Sequence, residues 1–266
     1  MENLRLCAIV PTYRHVRALP QLCAELRTCC DAVFIVDDGN DEPDRAAIAA
    51  LHAPHEGVEV VRQSPNAGKG AAMRLGFKTA LARGFTHALQ IDADGQHDTA
   101  DLGAFTAAAR AHPDALICGQ AMYDASVPKA RKIGRHITHF WVWVETASFE
   151  IADSMCGYRL YPLAAVAPLA GATIGARMDF DTEIAVRLHW RGVRVINVPT
   201  RVIYPPGNVS NFRMLQDNLR ISWMHTRLVL EAPFRLVWKL VAHRRAAAVP
   251  HQGEHKDLGN RLMQDR

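Results

Sequence analysis

The chain reads as an α/β protein built on a parallel sheet, and three features predict it. Short apolar runs of β character alternate with stretches of helical length, the pattern of crossover units. Four of these runs lead into polar or acidic clusters, as strands do where an open parallel sheet meets its ligand. At 266 residues and 49% hydrophobic content, the chain is long and apolar enough for one sizeable core.

The elements follow in order. Residues 6–10 (Leu-Cys-Ala-Ile-Val) form a buried-strand run, and residues 17–29 have helical spacing. Residues 32–36 (Ala-Val-Phe-Ile-Val) predict a second strand ending at Asp37-Asp38-Gly39, and residues 43–51 a helix with proline in its first turn. Residues 58–61 make a third strand leading into Asn66-Ala67-Gly68-Lys69-Gly70, and residues 70–82 an alanine-rich helix. Residues 87–91 make a fourth strand ending at Asp92, followed by a helix at 100–111 and a short strand at 115–118.

After Gly119 the rhythm is lost. Residues 129–149 read as a helix with Phe140, Trp141 and Trp143 along it, and residues 158–161, 181–190 and 193–198 as a second strand–helix–strand stretch. Residues 211–238 read as mostly helical with a break at Pro233, and the chain from His243 onward as polar and frayed. With no internal repeat and no flexible linker, the expectation is one domain over 1–210, a helical extension over 211–245 and a polar tail over 246–266.

Composition narrows the class. The charged fraction of 22% is that of a globular protein and excludes collagen-like, low-complexity and disordered chains. The six cysteines lack metal-ligand spacing, and Cys29 and Cys30 are adjacent, so they are expected as reduced thiols in a cytoplasmic protein. The first apolar run is short and broken by Arg5, unlike a secretory signal. The longest uncharged stretch, residues 160–176, contains Pro162, Pro168, Gly171 and Gly175 and does not suit a membrane span, which needs about 20 apolar residues. The formal charge of +4 is concentrated: between Arg227 and Arg245 stand five bases and one acid. That pattern fits an anionic surface, and without a basic stripe interleaved with aromatics no nucleic-acid partner is expected.

The sharpest motif is Asp92-x-Asp94-x-Gln96. Carboxylates two apart at a strand end can face one hard cation and an amide oxygen can join them, which favours Mg²⁺ or Mn²⁺ over zinc. An EF-hand is excluded, since its glycine position is His97 and its closing glutamate is Gly103. A Walker A loop is excluded by Gln63 and Gly70, and a dinucleotide fingerprint by Met73. What remains of Asn66–Gly70 is a flexible loop presenting Lys69 to an anion. Each acid cluster taken singly also suits an ordinary turn.

Pro11-Thr12-Tyr13, Val36-Asp37-Asp38-Gly39, Asn66-x-Gly68-Lys69-Gly70 and Asp92-Ala93-Asp94-Gly95-Gln96-His97, in this order, resemble glycosyltransferase family 2. Together with Asp153-Ser154-Met155-Cys156-Gly157-Tyr158-Arg159, the set is similar to the branch of dolichyl-phosphate mannose synthases and their bacterial relatives. The resemblance covers about residues 5 to 210. It implies a GT-A fold, with a mixed, mainly parallel sheet flanked by helices, and a nucleotide-diphosphate sugar donor of the UDP or GDP type. It further implies that Pro11, Thr12 and Tyr13 line the nucleoside pocket and that Asp37 or Asp38 holds base and ribose. Lys69 and Asp92 would then lie at the nucleotide, and Asp92, Asp94 and Gln96 would carry the metal. Arg131 and Arg135 correspond to basic residues that grip phosphates in that branch, or else form a solvated helix face.

Asp181-Thr182-Glu183 resembles the family's acidic motif at a helix start, which makes Asp181 the candidate base, with Glu183 and Asp179 as alternatives. First-turn acids also favour the helix dipole. A hydroxyl acceptor needs such a base; a polyprenyl phosphate is already ionised and needs cations instead. Ser210 and Asn211 would follow the last strand as a loop closing over the diphosphate. Phe234, Val237, Trp238 and Val241 fall on one helical stripe, suited to core packing or to a membrane interface. The expected activity is an inverting, metal-dependent transfer to a lipid-linked or lipid-like acceptor by a cytoplasmic enzyme peripheral at the membrane. A sugar-1-phosphate nucleotidyltransferase and a non-catalytic nucleotide-sugar-binding subunit are the alternatives.

Overall fold

The computed structural model describes residues 4–122, 129–169, 171–203 and 211–247, with the side chains of 129–132 and 238–247 excepted. The first half alternates: β1 (Leu6–Thr12), α1 (Leu19–Leu26), β2 (Ala32–Asp38), α2 (Asp44–Ala49), β3 (Val58–Gln63), α3 (Lys69–Ala82), β4 (His87–Gln90), α4 (Leu102–Ala111) and β5 (Leu116–Met122). The second half holds α5 (Lys129–Thr146), β6 (Arg159–Pro162), α6 (Leu163–Val166), α7 (Phe180–Trp190), β7 (Val195–Arg201) and α8 (Met214–Ala247).

The strands form one seven-stranded sheet in the order β3-β2-β1-β4-β6-β5-β7. β3, β2, β1 and β4 are mutually parallel, as the crossover pattern predicts, and β5 and β7 are parallel to each other. The expected second strand–helix–strand stretch is not a crossover unit. β6 inserts antiparallel between β4 and β5, because the chain re-enters the sheet from the edge at which β4 ends. The sheet is thus mixed and mainly parallel, flanked by helices on both faces.

Alternation along β1 divides the core. Cys7 and Ile9 face a layer with Phe34, Met73, Phe77 and Phe180; Leu6, Ala8 and Val10 face one with Leu19, Ile35, Phe105 and Tyr158. α3 lies close on β1 because Gly76 has no side chain: a Cβ there would strike Ile9. The next residue, Phe77, meets Tyr161 edge-on with ring centres 5.0 Å apart.

α8 departs from expectation at both predicted weak points. It runs through Pro233 without a break and continues to Ala247, past His243. Pro233 is exposed, so its ring displaces no core contact, while Met224, Leu228 and Ala232 bury against the core and hold the helix through the loss of one backbone hydrogen bond. His225 Nδ1 joins α8 to α5 at 2.6 Å from Glu145, which is itself fully buried. Core packing does not describe the predicted stripe: Phe234 and Val237 are 78% and 61% exposed. The side chains of Trp238 and Val241, and the tail from 248, lie outside the described residues.

Gly76→Val is expected to destabilise the fold by about 1–3 kcal/mol, the usual scale of overpacking, read as a lower urea midpoint at unchanged slope.

Candidate active site

Strand register gathers the predicted residues at one edge of the sheet. Thr12 pairs with Asp37 and Ile9 with Gln90, so the ends of β1, β2 and β4 bring Pro11, Thr12, Asp37 and Asp92 side by side. β6 runs the other way, so its beginning rather than its end lies there: Arg159 pairs with Gln90. Gly157, just before it, presses on Asp92. A Cβ at 157 would stand 2.7 Å from Lys69 Nζ and 2.8 Å from Asp92 Cγ.

Two loops are tied down around Asp37 and Asp38. Asp37 accepts from the backbone N (2.9 Å) and Nδ2 (2.7 Å) of Asn40 and pairs with Arg62. Asn40 also donates to the carbonyl of Thr12 at 3.0 Å and accepts from the backbone N of Arg14 at 2.7 Å. It thereby locks the turn after β1, where Arg14 takes the left-handed φ of 64° and its guanidinium lies 5.0 Å from the Tyr13 ring. Asp38 is filled by the loop before α3, accepting from Gln63 Nε2 (2.5 Å), Asn66 Nδ2 (2.9 Å), Ala67 N (2.8 Å) and Gly68 N (2.9 Å). Its carboxylate shapes the loop that presents Lys69, while Asp37 stays in the floor beneath Thr12.

The centre is one cation between two acids. Lys69 Nζ lies 2.7 Å from a carboxylate oxygen of Asp92 and 2.7 Å from one of Asp181. Burial opposes the ammonium charge, but Asp181 and Asp92 outweigh it and hold Lys69 protonated well above the usual lysine range. Burial likewise opposes the charge of Asp92, and Lys69 and then His97 hold it below the ordinary carboxylate value. The other oxygen of Asp181 accepts from Gln90 Nε2 at 2.8 Å, and Gln90 Oε1 accepts from Tyr161 at 2.9 Å. Arg159, fully buried, donates to the carbonyls of Asp181, Ser154 (2.5 Å) and Cys156 (2.8 Å), fixing the start of β6 to the start of α7. Asp94 follows Asp92 at the same edge; burial first, and then the charge of Asp92, raises its carboxyl above the ordinary value.

The remaining candidates are placed as follows. Glu183 lies two residues beyond Asp181, about 200° around the helix, and meets Arg187 and Arg227 instead of Lys69. Asp179 precedes α7 and accepts from the backbone N of Arg177 at 3.0 Å. Gln96 donates its backbone N to Asp94 at 3.1 Å and accepts on its carbonyl from Ile203 N at 2.8 Å. Arg135 is no solvated helix face: its Nη2 meets both oxygens of Asp153, at 2.6 and 2.7 Å. The Arg131 side chain and Ser210 lie outside the described residues. Asn211 donates to the carbonyl of Tyr13 at 3.0 Å, bringing the approach to α8 beside the end of β1. Among the described residues no group of three or more His, Cys, Asp and Glu is arranged as a metal cluster.

Sequence reasoning missed Asn40, Arg62 and Gln90 as parts of the site. Gln90 had a readable signal, a polar side chain inside an otherwise apolar strand. Arg62 had none, since its pairing with Asp37 depends on the β2–β3 register.

The model of the family "Glycosyl transferase family 2" matches residues 7–160. Among curated proteins, polyprenol monophosphomannose synthase of Mycolicibacterium smegmatis is 28% identical over 227 residues, covering 81% of this chain and 83% of the relative. Undecaprenyl-phosphate mannosyltransferase of Micrococcus luteus is 24% identical over 202 residues, covering 74% and 82%. Among solved structures, glucosyl-3-phosphoglycerate synthase from Mycobacterium tuberculosis, in complex with Mn²⁺, UDP-glucose and phosphoglyceric acid, superposes with a TM-score of 0.58 at 11% identity. That match covers 86% of this chain and 80% of the other. The shared architecture is the GT-A fold.

Gly157→Ala forces Lys69 and Asp92 apart while leaving the core untouched. It is expected to keep the melting temperature and to lower sugar transfer by about 10²-fold, the scale of a misplacement near 1 Å; turnover and thermal melting measured on the same preparation check both.

Proposed function

The chain belongs to glycosyltransferase family 2, and from that premise we propose that it moves a sugar from a nucleotide-diphosphate sugar to a polyprenyl phosphate, with inversion, at a membrane surface. The observation that carries the reading is the cluster of Lys69, Asp92 and Asp181 at the ligand edge of the sheet, beside the turn after β1. Pro11, Thr12, Tyr13 and Asp37 would line the side that takes the nucleoside, and Lys69 would meet its diphosphate. Both curated relatives compared above carry polyprenyl-type phosphates in their names.

The surface supports a lipid acceptor. A groove of about 530 Å³ runs between α5 and α8, lined by Gly134, Ile137, Thr138, Trp141, Ile221 and His225 among others. Its surroundings leave Ile133, Phe140, Trp223, Leu230 and Phe234 more than half exposed, and large exposed apolar side chains of this kind mark interaction surfaces. The groove reaches Gly134, next to Arg135, whose partner Asp153 accepts from the backbone N of Cys156 at 3.0 Å; Gly157 and Asp92 follow. A chain seated with its phosphate at the Gly134 end would bring that phosphate toward Arg135 and the Lys69 side of the site. No described helix is long and apolar enough to cross a membrane; the proposed contact is of the outward faces of α5 and α8 with the membrane surface.

The donor set fits a divalent cation. Asp92 and Asp94 are oxygen donors two residues apart after β4; burial first, and then the charge of Asp92, raises the Asp94 carboxyl, and Mg²⁺ or Mn²⁺ bound there would offset both. Asp92, Asp94 and Gln96 would hold the ion, which when bound neutralises the departing diphosphate. Lys69 binds anionic oxygens and holds Asp181 in place. A phosphate acceptor is ionised near neutral pH, so no side chain has to take its proton. Asp181, with Lys69 on one oxygen and Gln90 on the other, would orient the acceptor. In the hydroxyl-acceptor reading Asp181 serves instead as the base.

Calorimetric titration of UDP and GDP, each with Mn²⁺ and with EDTA, tests the donor site. One nucleotide is expected to bind, to lose binding in EDTA, and to lose it in Asp94→Asn. Failure of both nucleotides to bind overturns the reading. With a polyprenyl phosphate acceptor, Asp181→Asn is expected to cost less than about 10²-fold in kcat; a loss of about 10²–10⁴-fold, the size of general-base catalysis, assigns a hydroxyl acceptor.

A further inference from the structure

Glu183 is fully buried and yet ionisable, and an isolated carboxylate in such a place costs several kcal/mol unless it is paired. Its donors come from three elements. Arg187 of its own helix donates at 2.8 Å, the backbone N of Gly175 at 2.8 Å, and Arg227 of α8 at 2.9 Å. Arg227 reaches further, to the carbonyl of Thr173 at 3.3 Å, so the segment at 173–175 is held from two sides. Arg187 extends the pairing to Glu231 of α8 at 3.1 Å, which Arg235 meets in turn at 3.7 Å, so three arginines and two glutamates form one cluster.

The same segment is in contact with the start of α3. Ala71 N donates to the carbonyl of Ala176 at 3.1 Å, and Arg74 to that of Ile174 at 2.7 Å. Gly70 has no room for a side chain: a Cβ there would meet Gly175 and would lie 2.9 Å from Ala176 C. The residue before Gly70 is Lys69, the cation between Asp92 and Asp181. A continuous series of short contacts thus leads from α8 through Arg227 and Glu183 to segment 173–176, and from there to Lys69.

We propose that Glu183 and Arg227 are positioning residues that link the seating of α8 on lipid to the placement of Lys69 at the donor diphosphate. The inference rests on the donor and acceptor reading above. In energetic terms, lipid on α8 and nucleotide at the sheet edge strengthen each other, and by linkage each raises the affinity of the other by the same factor. Enzyme off the membrane then holds its donor weakly.

The test measures the Kd of the nucleotide that binds, with Mn²⁺, for the full chain alone and with phosphatidylcholine–phosphatidylglycerol vesicles containing undecaprenyl phosphate. Wild type is expected to bind about fivefold or more tightly with vesicles. Arg227→Met is expected to keep the vesicle-free Kd and lose the gain, and Arg227→Lys, which still offers a charge to Glu183, to regain it. Arg227→Gln serves the same purpose as Arg227→Met should the latter not fold. A merely structural role for Arg227 would weaken both values by the same factor, and that result overturns the proposal. So does a wild type whose Kd ignores the vesicles, or a gain that survives in Arg227→Met. Absence of nucleotide binding under every condition overturns the donor reading itself, together with this inference.

Discussion

A single ammonium group between two carboxylates organises this molecule. Asp92 comes from the end of β4 and Asp181 from the start of α7, and two negative charges so placed would drive their elements apart. Lys69, 2.7 Å from each, turns that repulsion into a tie. Much of the nearby architecture serves to bring the lysine there. The Asp38 carboxylate fixes the preceding loop through its backbone N–H groups, Gly157 leaves the space, and Arg159 holds the backbone of Asp181.

The surface is divided as sharply as the core. The nucleotide edge is polar and tied by hydrogen bonds, whereas α5 and α8 present aromatic and aliphatic side chains to the outside. Between them lie buried polar pairs, the hydrogen-bonded Glu145 and His225 and the ionic Glu183 with Arg187 and Arg227. Such pairs add little net stability, but they fix which residues face one another. Hydrophobic contact alone would allow α8 to slide along its neighbours; these charges give it a register.

Much of the fold was legible because its signals are local. Buried parallel strands appear as apolar runs, and the acids that follow them mark the ligand edge; Asp37, Lys69, Asp92 and Asp181 all stand where strand endings or a helix start announced them. What was not legible depends on pairing between distant segments. The direction of β6 cannot be read from Arg159-Leu160-Tyr161, whose pattern is the same either way. The use of Asp38 to hold the Lys69 loop, of Arg135 to meet Asp153, and of Glu183 to meet Arg227 needed the tertiary arrangement. Pro233 misled because its local cost is real, while the packing that offsets it comes from Met224, Leu228 and Ala232 on the buried side.

The antiparallel course of β6 has a consequence for how such a chain can change over generations. The donor edge is assembled by residues 11–97 and closed by the turn into β6, whereas α5 and α8, which carry the groove, contribute no strand to the sheet. Substitutions on their outward faces leave the β1, β2 and β4 register as it was. If the groove takes the acceptor, as proposed above, descendants drift toward new acceptors by altering two helices, while the donor edge is inherited intact.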